Sequence, residues 1–398
     1  LSLTDINLYT ILFVLFYAVG YGAYYATADM PIPMVADCSD YETYRSGQYV
    51  PGIIGTLFSL IDKLVSSLGS TVVGIAVLLI GIETLPDTNT PYMPGMKWVV
   101  IALFCILPMI AWLLTQWAMH KYSLTGQYAD DGRTSTEFKR IYKQTGGHFA
   151  VLGMDMMSYC SGSTAYGSED ATIQYAYDFY TNGGGIVTLC WHWRSPVEYQ
   201  VNDEQNPWYS SFYKEGSKLD LDKIMNGKDE RGYELLMQDI DLVSEQLARL
   251  RDAGVPVLWR PLHEASGGWF WWGNCEPESY IKLWNTMYDK MTNEHGLTNL
   301  IWVWNAQDAG WYPGDETVDI ISTDIYAEKL VDSSFSGSFA ELAEIPGENK
   351  LVALSENGCV MDPDKVMETN SRWLYWGTWS DPFTLKQGWL NDEYTSME

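Results

Sequence analysis

The stretch VPVLWRPLHE, residues 255–264, places two chemically active residues, His263 and Glu264, directly after an apolar segment. The apolar segment is typical of a buried strand. Before it, residues 233–253 carry leucine, isoleucine and valine at helical spacing, and Gly254 is a residue that commonly ends a helix. A helix followed by a buried strand is the repeating element of parallel α/β proteins, so this stretch predicts a parallel sheet.

Seven more segments of the same kind lie between residues 122 and 398, with helical patterns between most of them. Eight strands in one segment of this length predict an α/β fold of the (β/α)₈, or TIM-barrel, type. The strand candidates are SLTGQY (123–128), FAVLGMD (149–155), GIVTLCW (185–191), VPVLWRPLHE (255–264), LIWVWN (300–305), VDIISTDIY (318–326), LVALSEN (351–357) and WLYWGTW (373–379).

Several of these strands end in polar or charged residues. Beside Glu264, the candidates are Asn305 after strand five, Asp324 and Tyr326 on strand six, and Glu356 on strand seven. A single carboxylate at a strand end is as often the cap of the next helix as a functional group. The carboxyl ends of barrel strands meet on one rim, however, so the set together predicts a site there.

Two glutamates from opposite strands fit one type of chemistry well. Strands four and seven face each other across the barrel mouth, so Glu264 and Glu356 can flank a bound sugar. Glycoside hydrolysis needs one carboxylic acid to protonate the leaving oxygen and a second carboxylate to attack the anomeric carbon or to activate water. This chemistry needs no metal, and we expect neither a metal nor another cofactor.

The segment GGWFWWG, residues 267–273, follows Glu264 directly. Its glycines allow a tight loop, and its tryptophans offer apolar faces for sugar rings. Tryptophans at such spacing are more often core residues, so we expect only one or two of them to touch a ligand. His263 fits a role in the site and a packed neutral side chain about equally well.

In these segments the chain resembles glycoside hydrolase family 26. The most specific elements are the pair His263-Glu264 with a tryptophan five residues after the glutamate, and the sequence SENG around Glu356. The matching stretches begin at residues 124, 146, 184, 258, 300, 319, 354 and 376 and read LTGQYADD, GGHFAVLGMDMM, GGIVTLCWHWRSP, LWRPLHEASGGWFWWG, LIWVWN, DIISTDIY, LSENG and WGTWSD.

The resemblance implies Glu264 as the acid/base and Glu356 as the nucleophile of a retaining mechanism. It also implies that Tyr326 lies beside the nucleophile. Sugar-binding roles follow for His192, His263 and Trp269 around the cleavage point, and for Trp208 and Trp379 in flanking subsites. The family consists mainly of β-1,4-mannanases, so the implied substrate is β-mannan or its oligosaccharides. Lichenases and β-1,3-xylanases are minorities, and these substrates remain open alternatives.

The composition agrees with a neutral ligand. The chain carries 51 acidic and 24 basic residues, a formal charge of −27, which would repel nucleic acid. It also contains 18 tryptophans and 27 tyrosines. Aromatic planes pack against the C–H faces of sugars, and carboxylates accept hydrogen bonds from sugar hydroxyls. We therefore expect a carbohydrate partner and no nucleic acid.

The first 121 residues differ from the rest. Three uncharged runs lie between Asp5 and Asp29, between Lys63 and Glu83, and between Lys97 and His120. Each approaches or exceeds the roughly 20 residues that cross a bilayer as a helix. The acidic segment ADCSDYETY (36–44), followed by Arg45 and Gly47, resembles the glycoside–pentoside–hexuronide cation symporters of the major facilitator type. The resemblance corresponds to the last three helices of such a transporter.

We therefore predict an all-α membrane segment over residues 1–121 and a hydrolase barrel over residues 122–398. The first run lacks a basic leader, which disfavours a signal peptide. The symporter likeness and six cysteines without a disulfide-type spacing favour a barrel on the cytoplasmic side. Two other interpretations remain: a transporter-associated sugar-binding module without catalysis, and an accidental join of two neighbouring genes.

Overall fold

The computed structural model describes residues 51–81, 95–107, 124–129, 149–183, 185–326, 334–358 and 363–379, with a few short stretches and single residues between them. Most of the barrel is therefore described. Most of residues 1–50, and the residues after 379, lie outside the described part.

Eight parallel strands form a closed barrel in which each strand pairs with the next along the chain and the last pairs with the first. All eight predicted strands are confirmed, with ends that differ by a few residues. The fourth ends at Arg260, so His263 and Glu264 lie on the loop beyond it. The strands are β1 Leu124–Tyr128, β2 Val151–Asp155, β3 Ile186–Cys190, β4 Val257–Arg260, β5 Leu300–Trp304, β6 Ile320–Ile325, β7 Leu351–Asn357 and β8 Tyr375–Thr378.

Helices alternate with most of the strands. Helix Pro277–Tyr288 continues directly into a π-helical turn at Asp289–Glu294, and helix Met96–Ile101 continues into another at Ala102–Ile106. The helices of the described residues are α1 Pro51–Leu79, α2 Met96–Ile101, α3 Ser161–Thr164, α4 Thr172–Gly183, α5 Leu221–Met225, α6 Glu230–Asp252, α7 Pro277–Tyr288, α8 Ser336–Ala343 and α9 Pro363–Glu368.

Helix α6 shows how the sequence sets these boundaries. Its first turn is capped by Asp229, whose carboxylate accepts a hydrogen bond from the Gly232 N–H at 2.9 Å. Its buried face carries apolar side chains three and four residues apart. At its end Gly254 adopts φ +71°, and the Val255 N–H donates to the Leu250 carbonyl at 2.9 Å. The chain then turns directly into β4.

Two apolar cores lie on the two faces of the sheet. Val257 and Trp259 of β4 pack in the larger core, between the strands and the helices. Leu258, which points the opposite way, packs with Val151, Val303 and the corresponding residues of other strands in a smaller cluster. Arg260 follows Leu258 by two positions and so shares its face. The barrel interior therefore changes from apolar to charged along β4.

The predicted membrane segment is not confirmed. Helix α1 covers much of the second uncharged run, but no helix among the described residues has both the length and the apolarity of a membrane span. Nearly all of the first run, and part of the third, lie outside the described residues. The three spans and the boundary at residue 121 therefore remain predictions.

Candidate active site

The two glutamates singled out in the sequence meet at the carboxyl ends of the strands. Glu264 follows β4, Glu356 lies in β7, and Asp324 of β6 lies between these strands. One carboxylate oxygen of each of these three residues lies within 4.8 Å of the other two. The strand pairing shifts register between Thr323 and Asp324, and such irregularities often re-aim side chains at active sites.

Glu356 is buried and held by two donors. The guanidinium of Arg260 forms a close ion pair with its Oε1, and the Tyr326 hydroxyl donates to Oε2 at 2.5 Å. Burial raises the pKa of Tyr326, and the nearby carboxylates of Glu356 and Asp324 raise it further, so this hydroxyl remains a donor. Both oxygens of Glu356 are thus fixed in direction.

Arg260 is the centre of a buried polar network inside the barrel. Beyond its contact with Glu356, it donates to Asp324 Oδ2 at 3.0 Å, to the Tyr128 hydroxyl at 3.0 Å and to Asn305 Oδ1 at 3.3 Å. Its side chain is fully buried. A buried charge is tolerated when it is paired and hydrogen-bonded, and here four partners from four strands or strand ends bind its two terminal nitrogens, while its Nε has no partner among the described residues.

The third carboxylate, Asp324, differs from Glu356 in its surroundings. The side-chain amide of Asn305 donates to its Oδ1 at 3.1 Å, and Arg260 binds its Oδ2. Burial raises the pKa of Asp324 well above its usual value even though the Arg260 charge lowers it. Asp324 and Glu356 thus bind different terminal nitrogens of the Arg260 guanidinium.

Glu264 is held in a rare backbone conformation. Its φ is +52°, a left-handed value that non-glycine residues seldom adopt and that is frequent at functional sites. Its N–H donates to the Asn305 carbonyl at 2.7 Å, which stabilises this conformation. Burial raises the pKa of Glu264, and the charge of Glu356 raises it further. The carboxyl group therefore keeps its proton to higher pH than an ordinary glutamic acid does.

Trp269 lies directly over Glu264. Its indole N–H donates to Glu264 Oε2 at 3.0 Å, while 42% of its surface remains exposed. A Cβ at Gly267 would lie 2.0 Å from the Trp269 ring, so only glycine allows this close approach. By contrast Trp271 and Trp272 are fully buried. Of these three tryptophans, Trp269 is thus the one with an exposed face, and its contact with a ligand remains a prediction.

His192 and His263 face each other beside the glutamates. Their Nε2 atoms are 3.3 Å apart, and their rings are nearly perpendicular. Burial lowers the pKa of His263 well below its usual value, and the charges of His192 and Arg260 lower it further. The sequence left two interpretations of His263, a packed neutral side chain and a residue of the site. The structure is compatible with both at once, because His263 is buried, its lowered pKa favours the neutral ring, and it lies beside His192.

The two remaining tryptophans have different positions. Trp379 packs against Tyr128, with ring centroids 4.7 Å apart, and lies 6.2 Å from the His192 ring. It therefore borders the residues around Arg260 and His192. Trp208 stacks on Tyr166 at 4.5 Å and lies against the guanidinium of Arg194. Its contacts belong to the loops that follow β2 and β3 rather than to the pair of glutamates.

Two sets of side chains have a spacing that could hold a cation. One is Glu264, Asp324 and Glu356, and the other is Asp155, Cys190 and His192. In the first set, the Arg260 guanidinium already supplies positive charge to two of the carboxylates. In the second, Asp155 and His192 are hydrogen-bonded to each other.

Sequence reasoning missed three residues that shape this site: Arg260, Tyr128 and Asp155. Arg260 had a detectable signal, because an arginine within an apolar strand needs partners inside the barrel. Tyr128 and Asp155 end β1 and β2, as Glu356 nearly ends β7. The rule that strand ends carry function therefore applied to them as well.

The chain matches the family model "Glycosyl hydrolase family 26" over residues 107–395. A second family model, "MFS/sugar transport protein", matches residues 4–126. The two matches correspond to the two parts distinguished in the sequence. Both parts of the suspected resemblance are thereby confirmed.

Individual relatives agree with the first match. A mannan endo-1,4-β-mannosidase of Thermothelomyces thermophilus is 39% identical over 253 residues, which is 64% of this chain and 52% of that protein. The chain thus spans about half the length of this relative.

Two solved structures are also similar. A β-(1,4)-mannanase of Podospora anserina has a TM-score of 0.64 and 38% identity, covering 68% of this chain and 59% of its own. A β-mannanase from a symbiotic protist of the termite Reticulitermes speratus was solved with a gluco-manno-oligosaccharide. It has a TM-score of 0.60 and 31% identity, and the match covers 69% of this chain and 86% of that one. With a closed eight-stranded barrel and a family match over most of its length, the chain belongs to glycosyl hydrolase family 26.

Proposed function

We propose that the barrel is a retaining β-glycosidase that cleaves β-1,4-mannosidic bonds, with Glu356 as nucleophile and Glu264 as acid/base. The observation that carries this proposal is the pair of carboxylates from opposite sides of the barrel mouth, with oxygens within 4.8 Å of each other. Their surroundings differ: Glu356 is paired with the Arg260 cation, whereas Glu264 accepts a hydrogen bond from the Trp269 indole.

In the first step Glu356 attacks the anomeric carbon. Arg260 and Tyr326 donate to its two oxygens, which holds the carboxylate in position for the attack. The bond from the anomeric carbon to the leaving oxygen breaks as the ester bond to Glu356 forms. The leaving oxygen takes the proton of Glu264, whose raised pKa suits it to the role of the acid.

In the second step Glu264 acts as a base. Once Glu356 is a neutral ester, its charge no longer raises the pKa of Glu264, which then holds its proton less tightly. Glu264 can accept a proton from water as the water attacks the anomeric carbon. The ester bond breaks, Glu356 regains its charge, and the product keeps the original configuration.

The spacing of the carboxylates favours this double displacement. Retaining enzymes hold their two carboxyl groups about 5–5.5 Å apart, whereas inverting enzymes need about 6.5–9.5 Å to admit a water molecule. Oxygens of Glu264 and Glu356 within 4.8 Å of each other leave little room for an intervening water. The same arrangement argues against a binding module without catalysis, which needs no such pair.

We assign the sugar-binding roles to the residues around this pair. Trp269 offers an exposed aromatic face next to Glu264, and His192, His263 and Tyr326 offer polar atoms around the cleavage point. Trp379 and Trp208 would contact sugars in flanking subsites. Of these two, Trp379 has the stronger support, because it packs beside Tyr128 and His192.

The substrate proposal predicts a clear order of activities. We expect the highest kcat/KM on mannan or manno-oligosaccharides, a similar or lower value on glucomannan, and values at least about tenfold lower on lichenan and β-1,3-xylan, since a pocket that hydrogen-bonds one sugar rejects its analogues. Product analysis on these four polysaccharides measures the order. A preference for lichenan or β-1,3-xylan would contradict the substrate while leaving the glycosidase mechanism intact.

We further propose that residues 1–121 form a membrane segment and that residues 122–398 form a hydrolase domain on the cytoplasmic side. The transporter match over residues 4–126 supports the first part. Large apolar side chains such as Leu78, Leu79 and Trp98 are also exposed on the described helices, as expected if lipid or other helices cover them. A cytoplasmic barrel would act on imported oligosaccharides.

Protease treatment of intact cells tests this orientation. Antisera against the barrel and against residues 1–121 should detect one common polypeptide in the membrane fraction. The barrel signal should survive protease in intact cells and disappear after permeabilisation. Loss of the signal without permeabilisation would reverse the orientation, and two separate polypeptides would show that the join is accidental.

A further inference from the structure

Asp155, at the end of β2, is buried and binds His192 twice. Its Oδ1 accepts the backbone N–H of His192 at 3.0 Å and that of Met157 at 2.8 Å. Its Oδ2 lies against Nδ1 of the His192 ring in a close hydrogen bond. A carboxylate is an acceptor, so His192 Nδ1 carries a proton. The three contacts fix both the backbone and the ring of His192.

The other ring nitrogen of His192 faces a second histidine. Its Nε2 lies 3.3 Å from Nε2 of His263, and only one proton fits between two such nitrogens. Burial lowers the pKa of His263, which favours its neutral ring, and in the tautomer with its proton on Nδ1 this nitrogen of His263 accepts from His192. That Nδ1 is buried and has no hydrogen-bond partner among the described residues. A proton on His192 Nε2, donated to that tautomer of His263, would make His192 a cation.

The charges around His192 agree with this state. Burial lowers the pKa of His192, whereas the charge and hydrogen bond of Asp155 and the charge of Glu356 raise it. Arg260 on β4 acts in the opposite direction. The net shift is upward. The thiol of Cys190 also lies within 4.8 Å of a His192 ring nitrogen, Glu264 interacts with His192 through its charge, and the rings of Phe212, Phe270 and Trp379 pack around His192.

We propose that Asp155 is a positioning residue that keeps His192 as an imidazolium cation, and that this cation sets the alkaline limit of the pH range in which Glu264 serves as the acid. The proposal rests on the proposed function, in which Glu264 is the acid/base. It assigns to Asp155 a role exerted through His192 and without contact with the substrate. His192 then contributes a positive charge to a site that holds three carboxylates.

The sign of the effect follows from the charge on His192. The His192 cation lowers the pKa of Glu264, against the larger upward effects of burial and of Glu356. Without the Asp155 carboxylate, His192 loses its main source of stabilisation as a cation and becomes neutral near pH 7. Glu264 then keeps its proton to higher pH. The alkaline limb of the activity profile therefore moves upward.

Asp155→Asn in the full chain tests this inference. Imidazole ¹⁵N shifts should report a doubly protonated His192 in the parent protein at pH 7 and a neutral ring in the variant. In the pH profile of kcat/KM, the alkaline limb should move to higher pH by about 0.5–1 unit. This is less than the pKa shift of roughly 1–3 units that a directly adjacent charge causes. Asp155→Glu, which restores the carboxylate, should bring the limb back towards its original position.

A matched control is available on α6. Asp241 pairs with His295, with 2.6 Å between the carboxylate and Nε2, on the outside of the barrel. Asp241→Asn removes a similar pair and should leave the pH profile unchanged. A loss of kcat in Asp155→Asn with an unmoved alkaline limb would show that Asp155 has only a structural role.

The spectroscopic measurement keeps the two proposals separate. If Asp155→Asn fails to fold, a neutral His192 ring in the parent protein at pH 7 is enough to overturn the inference. If the parent protein hydrolyses no glycoside, the proposed function fails, and the charge of His192 is still measured by its ¹⁵N shifts. A cationic His192 whose loss leaves the profile unmoved would also overturn the assigned role.

Discussion

Glu356→Ala is expected to lower kcat on every glycoside substrate by at least about 10⁴-fold, because removing the nucleophile of a covalent mechanism eliminates the step itself. No second carboxylate can replace it. Glu264 approaches the bond from the side of the leaving group, and Asp324 is bound to Arg260 and Asn305. Steady-state rates on manno-oligosaccharides and on an activated aryl β-mannoside measure the loss.

Azide distinguishes a lost nucleophile from a damaged fold. The alanine variant leaves a cavity beside Arg260 and Tyr326, both of which would still bind an anion. Azide in that cavity should attack the activated aryl glycoside and give the α-glycosyl azide, the configuration opposite to that of the substrate. Glu356→Gln, which keeps the shape of the side chain, serves as a second inactive variant. Substantial activity in either variant without added azide would contradict the assignment and the retaining mechanism.

The strands and both glutamates could be predicted from the sequence because their signals are local. A buried parallel strand is a short apolar run, and each of the eight runs lies between turn or helix patterns. Closure into a barrel then brings the strand ends together, so Glu264 and Glu356 could be paired although 92 positions separate them in the numbering. Each glutamate needed only its own strand and the known geometry of the fold.

The network around Arg260 could not be predicted in the same way. Its partners come from the ends of β1, β5, β6 and β7, and nothing near Arg260 in the sequence identifies them. The direction of a side chain inside the barrel depends on strand register, and the register shifts in β6 and β7 have no clear sequence signal. The same holds for Asp155, whose partner His192 lies 37 residues away.

Trp208 illustrates a related limit. Its assignment to a flanking subsite followed from resemblance to the family, and its place in the sequence could not show which surface it faces. In the structure it stacks on Tyr166 and covers the guanidinium of Arg194. Loop geometry determines such contacts, and loops vary more within a fold than the strands that support them.

Glu264→Ala should affect substrates according to their leaving group. Mannan and manno-oligosaccharides have poor leaving groups that require protonation, so their hydrolysis should fall by about 10²–10⁴-fold, the usual contribution of a general acid. A dinitrophenyl β-mannoside needs almost no protonation to leave. Its glycosylation step should therefore remain within about tenfold of the parent rate, while the second step slows because the base is missing.

Pre-steady-state kinetics separates these two steps. A burst of dinitrophenol followed by slow turnover is the expected result, because the ester on Glu356 forms quickly and accumulates. Azide should accelerate turnover and give the β-glycosyl azide, since here it replaces the activated water on the side of Glu264. Glu245→Ala, an exposed glutamate on α6, is the matched control and should behave as the parent. Equal losses for Glu264→Ala and Glu356→Ala in the burst phase would mean that the two glutamates do not have the separate roles that their different surroundings support.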